Sequence, residues 1–277
     1  MNRLLLLLLP LVLVCSCATE DDERPVITVT IEPLRYFAEQ IAGDRFRVVT
    51  MVPKGSSPET YEPTAQQMVE LAGSQLYVEV GGLGFERTWL RRMRQELPHL
   101  IVVDASEDIV PLGSAGGGQA DPHTWTSPAN ALLIARSIYR GMSMISAKDS
   151  AYFKANLDSL CGRIEAADRE IRNMLENTAN RSFVIYHPAL TAFAGNYGLR
   201  QLAIEENGRE PSAASLQRLI KEARADGVRL MFVQKEFASR NTDIVSRGIG
   251  AKVVEINPLS YDWDKEMIKI AEAICRQ

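Results

Sequence analysis

The chain has 277 residues, 46% of them hydrophobic and 24% charged, and a formal net charge of -4. That length accommodates one large domain or two lobes, each with its own core. Mild acidity without any basic run excludes a general electrostatic attraction to nucleic acid.

The N-terminus is a targeting segment. Arg3 precedes LLLLLLPLVLVCSC, an apolar stretch too short to span a bilayer comfortably and broken by Pro10. Small Ser16 directly before Cys17, with Val14 further back, looks like a lipoprotein signal in which Cys17 becomes the lipidated mature N-terminus. Cys15 fits poorly behind bulky Val14, and a plain secretory signal is the alternative. The expected division is a signal peptide over 1–17 and an acidic tether over 18–25. The folded body then lies outside the cytoplasm, held to the membrane by lipid.

Beyond the tether, short apolar runs alternate with amphipathic helical patterns. VITVTI (Val26–Ile31), RVVTMV (Arg47–Val52), QLYVEV (Gln75–Val80) and LIVVDA (Leu100–Ala105) are expected strands. LRYFAEQIAG, TAQQMVELAG and ERTWLRRMRQEL between them have helical periodicity. SFVIYH (Ser182–His187), RQLAIE (Arg200–Glu205), RLMFVQ (Arg229–Gln234) and KVVEIN (Lys252–Asn257) repeat the pattern. The long segment between the two sets has no proline after Pro128 and stays helical in period. Asp149 and Ser150 are its candidate N-cap for a linking helix over 149–177. The expected fold is α/β: an N-terminal lobe over 26–148 and a C-terminal lobe over 178–277, each a mainly parallel sheet flanked by helices. Two further cysteines, Cys161 and Cys275, fall in helical patterns; a disulfide and two buried thiols are both open for them.

The residues with metal-binding chemistry fall in order along this layout. Glu59 follows the second strand of the first lobe, and His123 follows its last strand, beyond the glycine-rich GSAGGGQA. His187 and Asn257 end strands of the second lobe. Open α/β sheets bind ligands outside the carboxyl ends of their strands, so two lobes facing each other through those ends make a cleft. Each residue also has an ordinary role: a surface or backbone-bonded histidine, a solvated glutamate, an asparagine organising a turn before Pro258. Glu62 is a competing carboxylate. His99 sits at a strand entrance, away from the cleft, and is expected to be structural. Glu205 and Glu206 also follow a strand end, where they either contact the metal ligands from behind or solvate a loop, the loop being favoured; Trp125 and Tyr61 are expected to pack the cleft walls.

The motifs PETYEPTAQQM, DPHTW, YHPALTAFAGNYGL, EPSAASL and INPLSYDW, in that order, resemble the zinc- and manganese-binding receptors of bacterial ABC importers, the ZnuA/TroA-like family. The resemblance covers essentially the whole mature chain. It implies a metal site in the interlobe cleft built from Glu59, His123, His187 and Asn257, and no enzymatic role. It also implies a membrane permease as partner, a monomer, and residence in the periplasm. His123 and His187 match the family pattern directly. Glu59 stands where a histidine is usual, and Asn257 where an aspartate is usual. The charge is conserved by the double change, because three imidazoles with one carboxylate and one carboxylate with two imidazoles both carry a single negative charge. A His₂Glu set suits Zn²⁺, with Asn257 or water as fourth ligand and Glu236 in reserve. Oxygen in place of nitrogen makes Mn²⁺ or Fe²⁺ more competitive. The histidine-rich loop common in the family is absent here. Two rivals remain: a His₂Glu metallohydrolase, with Glu236 or Glu62 as general base, and a receptor for a larger metal chelate.

Overall fold

The computed structural model describes residues 22–110, 121–205, 209–234 and 240–277. The signal segment with Cys17, most of the tether, the run GSAGGGQA, Glu206 and Glu236 lie outside the described residues.

Strands β1 (Val26–Val29), β2 (Arg47–Thr50), β3 (Ser74–Glu79) and β4 (Ile101–Asp104) form one parallel sheet in the order β2-β1-β3-β4. Strands β5 (Ser182–Ile185), β6 (Arg200–Ala203), β7 (Leu230–Gln234) and β8 (Lys252–Ile256) form a second, β6-β5-β7-β8, with the same parallel topology. Most of these strands stop one or two residues before their apolar runs do. The remaining residues bend into the cleft loops while keeping one ladder bond, as where Met51 N–H donates to the Val29 carbonyl (2.8 Å) and Val52 N–H to that of Thr30 (3.0 Å).

Helices α1 (Glu32–Ala42), α2 (Ala65–Ala72), α3 (Gly84–Glu96) and α4 (Pro128–Ile145) serve the first lobe; α6 (Thr191–Tyr197), α7 (Ala213–Ala225), α8 (Arg240–Ile249) and α9 (Trp263–Cys275) serve the second. The linking helix α5 runs from Ser150 to Leu175, slightly shorter at both ends than the 149–177 expected. Asp149 stands at its N-cap, but its carboxylate accepts from the Ser146 hydroxyl (2.6 Å) instead of capping the helix. Along α5, Phe153, Leu157, Leu160, Ile164, Ala167, Ile171 and Leu175 are buried, an alternation of three and four residues that keeps one apolar stripe inward. Its 26 residues span about 39 Å, enough to underlie both sheets. One apolar core consequently runs through the molecule, from Phe37 and Leu34 of α1 past Leu160 to Phe183, Phe232 and Ile270.

Cys161 and Cys275 are both free thiols. A helical rise of about 21 Å separates Cys161 from Leu175, whereas the end of α9 lies beside residue 180, where the Gln277 amide donates to the Asn180 carbonyl (3.0 Å). The structure holds them as two free thiols, Cys161 partly buried and Cys275 exposed, so neither the disulfide nor two buried thiols is found.

Two reciprocal bonds fasten the lobes next to the cleft. Trp125 Nε1–H donates to the Pro258 carbonyl (2.8 Å) and Trp263 Nε1–H to the Trp125 carbonyl (2.7 Å), with both indoles fully buried. Tyr261 of the second lobe adds a third tie, donating its hydroxyl to Glu39 of α1 (2.6 Å) under the Arg35 guanidinium.

Candidate metal centre

Two histidines from different lobes meet in the cleft. His123 follows Asp121 and Pro122, and its buried ring is fixed by Asp121, whose Oδ1 accepts both His123 N–H (2.9 Å) and Nδ1 (2.6 Å). A short 3₁₀ turn, Thr124–Thr126, then leads into α4, capped by the Ser127 hydroxyl. Burial raises the Asp121 carboxyl, but the hydrogen bond from His123 and the nearby imidazole outweigh it, holding the group below the usual range.

His187 leaves the end of β5, where Pro188 stops the ladder. Gln234, the last residue of the neighbouring β7, clasps its backbone: Gln234 Nε2 donates to the His187 carbonyl (2.9 Å) and Oε1 accepts the His187 N–H (3.4 Å). The ring's Nδ1 lies 3.0 Å from Glu205 Oε2. Glu205 is therefore the partner that orients His187, not the solvated loop residue expected.

The two carboxylates orient the rings: each Nδ1 faces a carboxylate oxygen of its own lobe, and each Nε2 is turned toward the other lobe. The two Nε2 atoms face one another at 3.1 Å, with ring centroids 5.0 Å apart.

Glu59 lines the same cavity, in a loop pinned to the start of α3. Gly84 N–H donates to Glu59 Oε2 (3.0 Å) and Phe85 N–H to the Pro58 carbonyl (2.9 Å), while Arg87 stands 3.7 Å from the same Oε2. Glu59 Oε1 is sealed from solvent and has no hydrogen-bond partner among the described residues. Asn257 also lines the cavity, with Trp125, Ala189, Gln234 and Pro258. Its Oδ1 accepts Leu259 N–H (3.1 Å), closing the turn foreseen as its ordinary role, and its N–H donates to Glu266 (2.7 Å).

The structure thus places Glu59, His123, His187 and Asn257 around one cavity but brings only the two imidazoles into contact. Among the described residues no three histidine, cysteine, aspartate or glutamate side chains converge as closely as the ligands of one ion. Glu62 is exposed and away from the cavity. His99 is exposed, with Nε2 3.1 Å from the Ala72 carbonyl, at the strand-entrance end. Trp125 is a cavity wall as expected; Tyr61 instead donates to Gln67 (2.6 Å) and packs against Phe85. Asp121 and Gln234 were not singled out in the sequence. The Asp-x-His spacing was the available signal for the first, since aspartate commonly bonds the backbone two residues on; Gln234 had none, because its role depends on β5 and β7 being neighbours.

The model of the family described as "Zinc-uptake complex component A periplasmic" matches residues 27–274. A putative metal-binding protein of Treponema pallidum is 27% identical over 87% of this chain and 81% of its own length. The high-affinity zinc uptake system protein ZnuA of Bacillus subtilis is 25% identical over 88% and 81%. Among solved structures, a crystal structure of ZnuA superposes with a TM-score of 0.87 at 33% identity, covering 92% of this chain and 99% of that one. The SBP FpvC of Pseudomonas aeruginosa, solved in complex with Mn²⁺, superposes with a TM-score of 0.80 at 24% identity, covering 92% and 98%, and shares the fold. With two parallel-sheet lobes, a long linking helix and this match over nearly its whole length, the chain belongs to the ZnuA family of metal-binding solute receptors.

Proposed function

We propose that the chain is an extracytoplasmic receptor, lipid-anchored through Cys17, that captures Zn²⁺ and delivers it to the permease of an ABC importer. The observation that carries this reading is the opposition of two imidazole Nε2 atoms from different lobes at 3.1 Å. A cation between them would draw on both nitrogens while each Nδ1 stays on its own carboxylate. Two Zn–N bonds of about 2.0–2.1 Å at a tetrahedral angle put their nitrogens about 3.3 Å apart, close to the spacing found. Asp121 and Glu205 aim the rings, as outer partners of metal-bound histidines do.

Glu59 supplies the third ligand through Oε1, whose buried, unpartnered state calls for a cation. The Asn257 amide or a water completes four-coordination. One carboxylate and two neutral imidazoles leave the site one positive charge when loaded with a divalent ion, and the oxygen ligand keeps Mn²⁺ and Fe²⁺ in competition. Glu59 and His123 come from one lobe, His187 and Asn257 from the other, so a bound ion favours the state in which both halves engage. The tryptophan bonds across the lobes restrict wholesale hinge opening and leave the adjustment to the cleft loops. Of the two general bases open to the hydrolase reading, Glu62 stands outside the cavity and Glu236 lies outside the described residues. A receptor for a larger chelate needs the histidines apart, whereas their nitrogens are in contact.

The test is elemental analysis of the purified protein after competitive loading with zinc, manganese and iron. Expected is one zinc per chain, lost in His123→Ala and in His187→Ala. Equal loading by either variant would overturn the reading.

A further inference from the structure

The loop between β3 and α3, Val80 to Gly84, holds Glu59, and one buried side chain holds that loop. Glu86, only 3% exposed, accepts from four donors: Oε1 takes the Thr30 hydroxyl (2.7 Å) and Val80 N–H (2.7 Å), and Oε2 takes Gly81 N–H (2.9 Å) and Leu83 N–H (3.2 Å). Thr30 is itself bonded to the buried Tyr77 hydroxyl (2.7 Å), so the carboxylate is anchored to β1 and β3. Gly81 and Gly82 both adopt positive φ, 91° and 103°, a backbone course that needs glycine and an internal acceptor to hold it. The loop ends at Gly84, where a Cβ would overlap the Glu59 carbonyl oxygen, and Gly84 N–H takes Glu59 Oε2.

We propose that Glu86 is a positioning residue that, through this loop, keeps one oxygen of Glu59 engaged on Gly84 and makes Glu59 a one-oxygen ligand. The proposal rests on Glu59 being a ligand of the ion. With Oε2 held on a backbone N–H, Oε1 is the oxygen left without a partner and the one best placed for an ion. One-oxygen ligation suits a four-coordinate zinc site better than a harder, higher-coordinate manganese ion, which gains more from both oxygens. Glu86 thereby acts on metal choice without touching the ion. Its own oxygens are saturated by protein donors.

The experiment measures zinc and manganese affinities by competition with a chromophoric chelator for Glu86→Gln and for Gly84→Ala, each with Glu59 and with Glu59→Gln. In Glu86→Gln an amide NH₂ must face N–H donors, so the loop shifts; in Gly84→Ala the methyl displaces Glu59 directly. With Glu59 present, either change is expected to weaken zinc about tenfold and to weaken manganese less, so that the zinc-to-manganese preference falls. In the Glu59→Gln background neither should alter zinc affinity beyond about twofold. Equal losses in both backgrounds, or an unchanged preference, overturn the proposal, since general damage to the fold would give that result. If Glu86→Gln does not fold, Glu86→Asp, which keeps the carboxylate but shortens its reach to the Val80, Gly81 and Leu83 N–H groups, carries the same comparison. Should Glu59→Gln alone bind zinc like the unaltered protein, the ligand assignment itself falls, a result separate from any effect of Glu86.

Discussion

His123 Nε2 lies 3.1 Å from His187 Nε2, and each ring is turned by a carboxylate from its own lobe, Asp121 in one case and Glu205 in the other. Under the proposed function, replacing either histidine by alanine removes one of the two nitrogens offered to the ion. Zinc affinity should fall at least about a hundredfold, beyond the loss typical of an outer partner. Isothermal titration with a competing chelator reads this directly.

Glu205 orients His187 and should behave as an outer partner. Glu205→Ala is expected to weaken zinc roughly ten- to hundredfold and Glu205→Gln less, because the amide oxygen still accepts from Nδ1. Glu62→Ala, at an exposed position off the cavity, should leave the affinity within about twofold. Similar losses for Glu205→Ala and Glu62→Ala would contradict this assignment.

Asn257 combines a turn and a cavity wall. Asn257→Asp keeps an acceptor for Leu259 N–H and adds a negative oxygen, so metal binding should tighten, by about tenfold for one added ligand charge, with manganese gaining more than zinc. Asn257→Ala loses the turn bond and should lower both melting temperature and affinity. The paired measurement separates the two roles.

Trp125→Phe keeps an aromatic ring but leaves the buried Pro258 carbonyl without its donor. The cost should be about 1–3 kcal/mol, a fall of roughly 3–10 °C in melting temperature for a chain of this size. Trp263→Phe should behave alike through the Trp125 carbonyl. Unchanged melting in both variants would show that these bonds do not fasten the lobes.

Glu79 adds a pH dependence to stability. Burial, then the charge of Glu86, raise its carboxyl from 4.5 to about 7, against the pull of half-exposed Arg94 at 2.7 Å. The folded chain then holds this proton more tightly than the unfolded chain. The associated stability is full below about 4.5 and is lost as pH rises through about 7. Glu79→Gln mimics the protonated form, so the variant should gain about 1–2 kcal/mol on the parent between pH 5 and pH 8, after allowance for solvent screening. Denaturant melts at the two pH values measure it; a constant difference would refute it.

Much of this organisation was legible in the linear chain. The β-branched runs and the helical patterns between them set eight strands in two parallel sheets, and loop position placed His123, His187, Asn257 and either Glu59 or Glu62 by a cleft, the motif resemblance favouring Glu59. Period and turn chemistry act over a few residues, which is why they survive without coordinates. Asp121 was half visible, two residues from the histidine it holds. Glu205 was misjudged, since a glutamate after a strand looks the same whether it faces water or an imidazole.

Residue order along this chain therefore determined its lobes, its linking helix and the loops that line the cleft, because backbone preference and hydrophobic spacing are local properties. Tertiary structure alone decided which atoms meet. The facing of His123 and His187 across two lobes, the clasp of Gln234 on its neighbour strand, and the hold of Gly84 on Glu59 all join residues 25 or more positions apart. Contacts at that range depend on sheet order and lobe docking, which burial of the shared core settles only when the whole chain is folded.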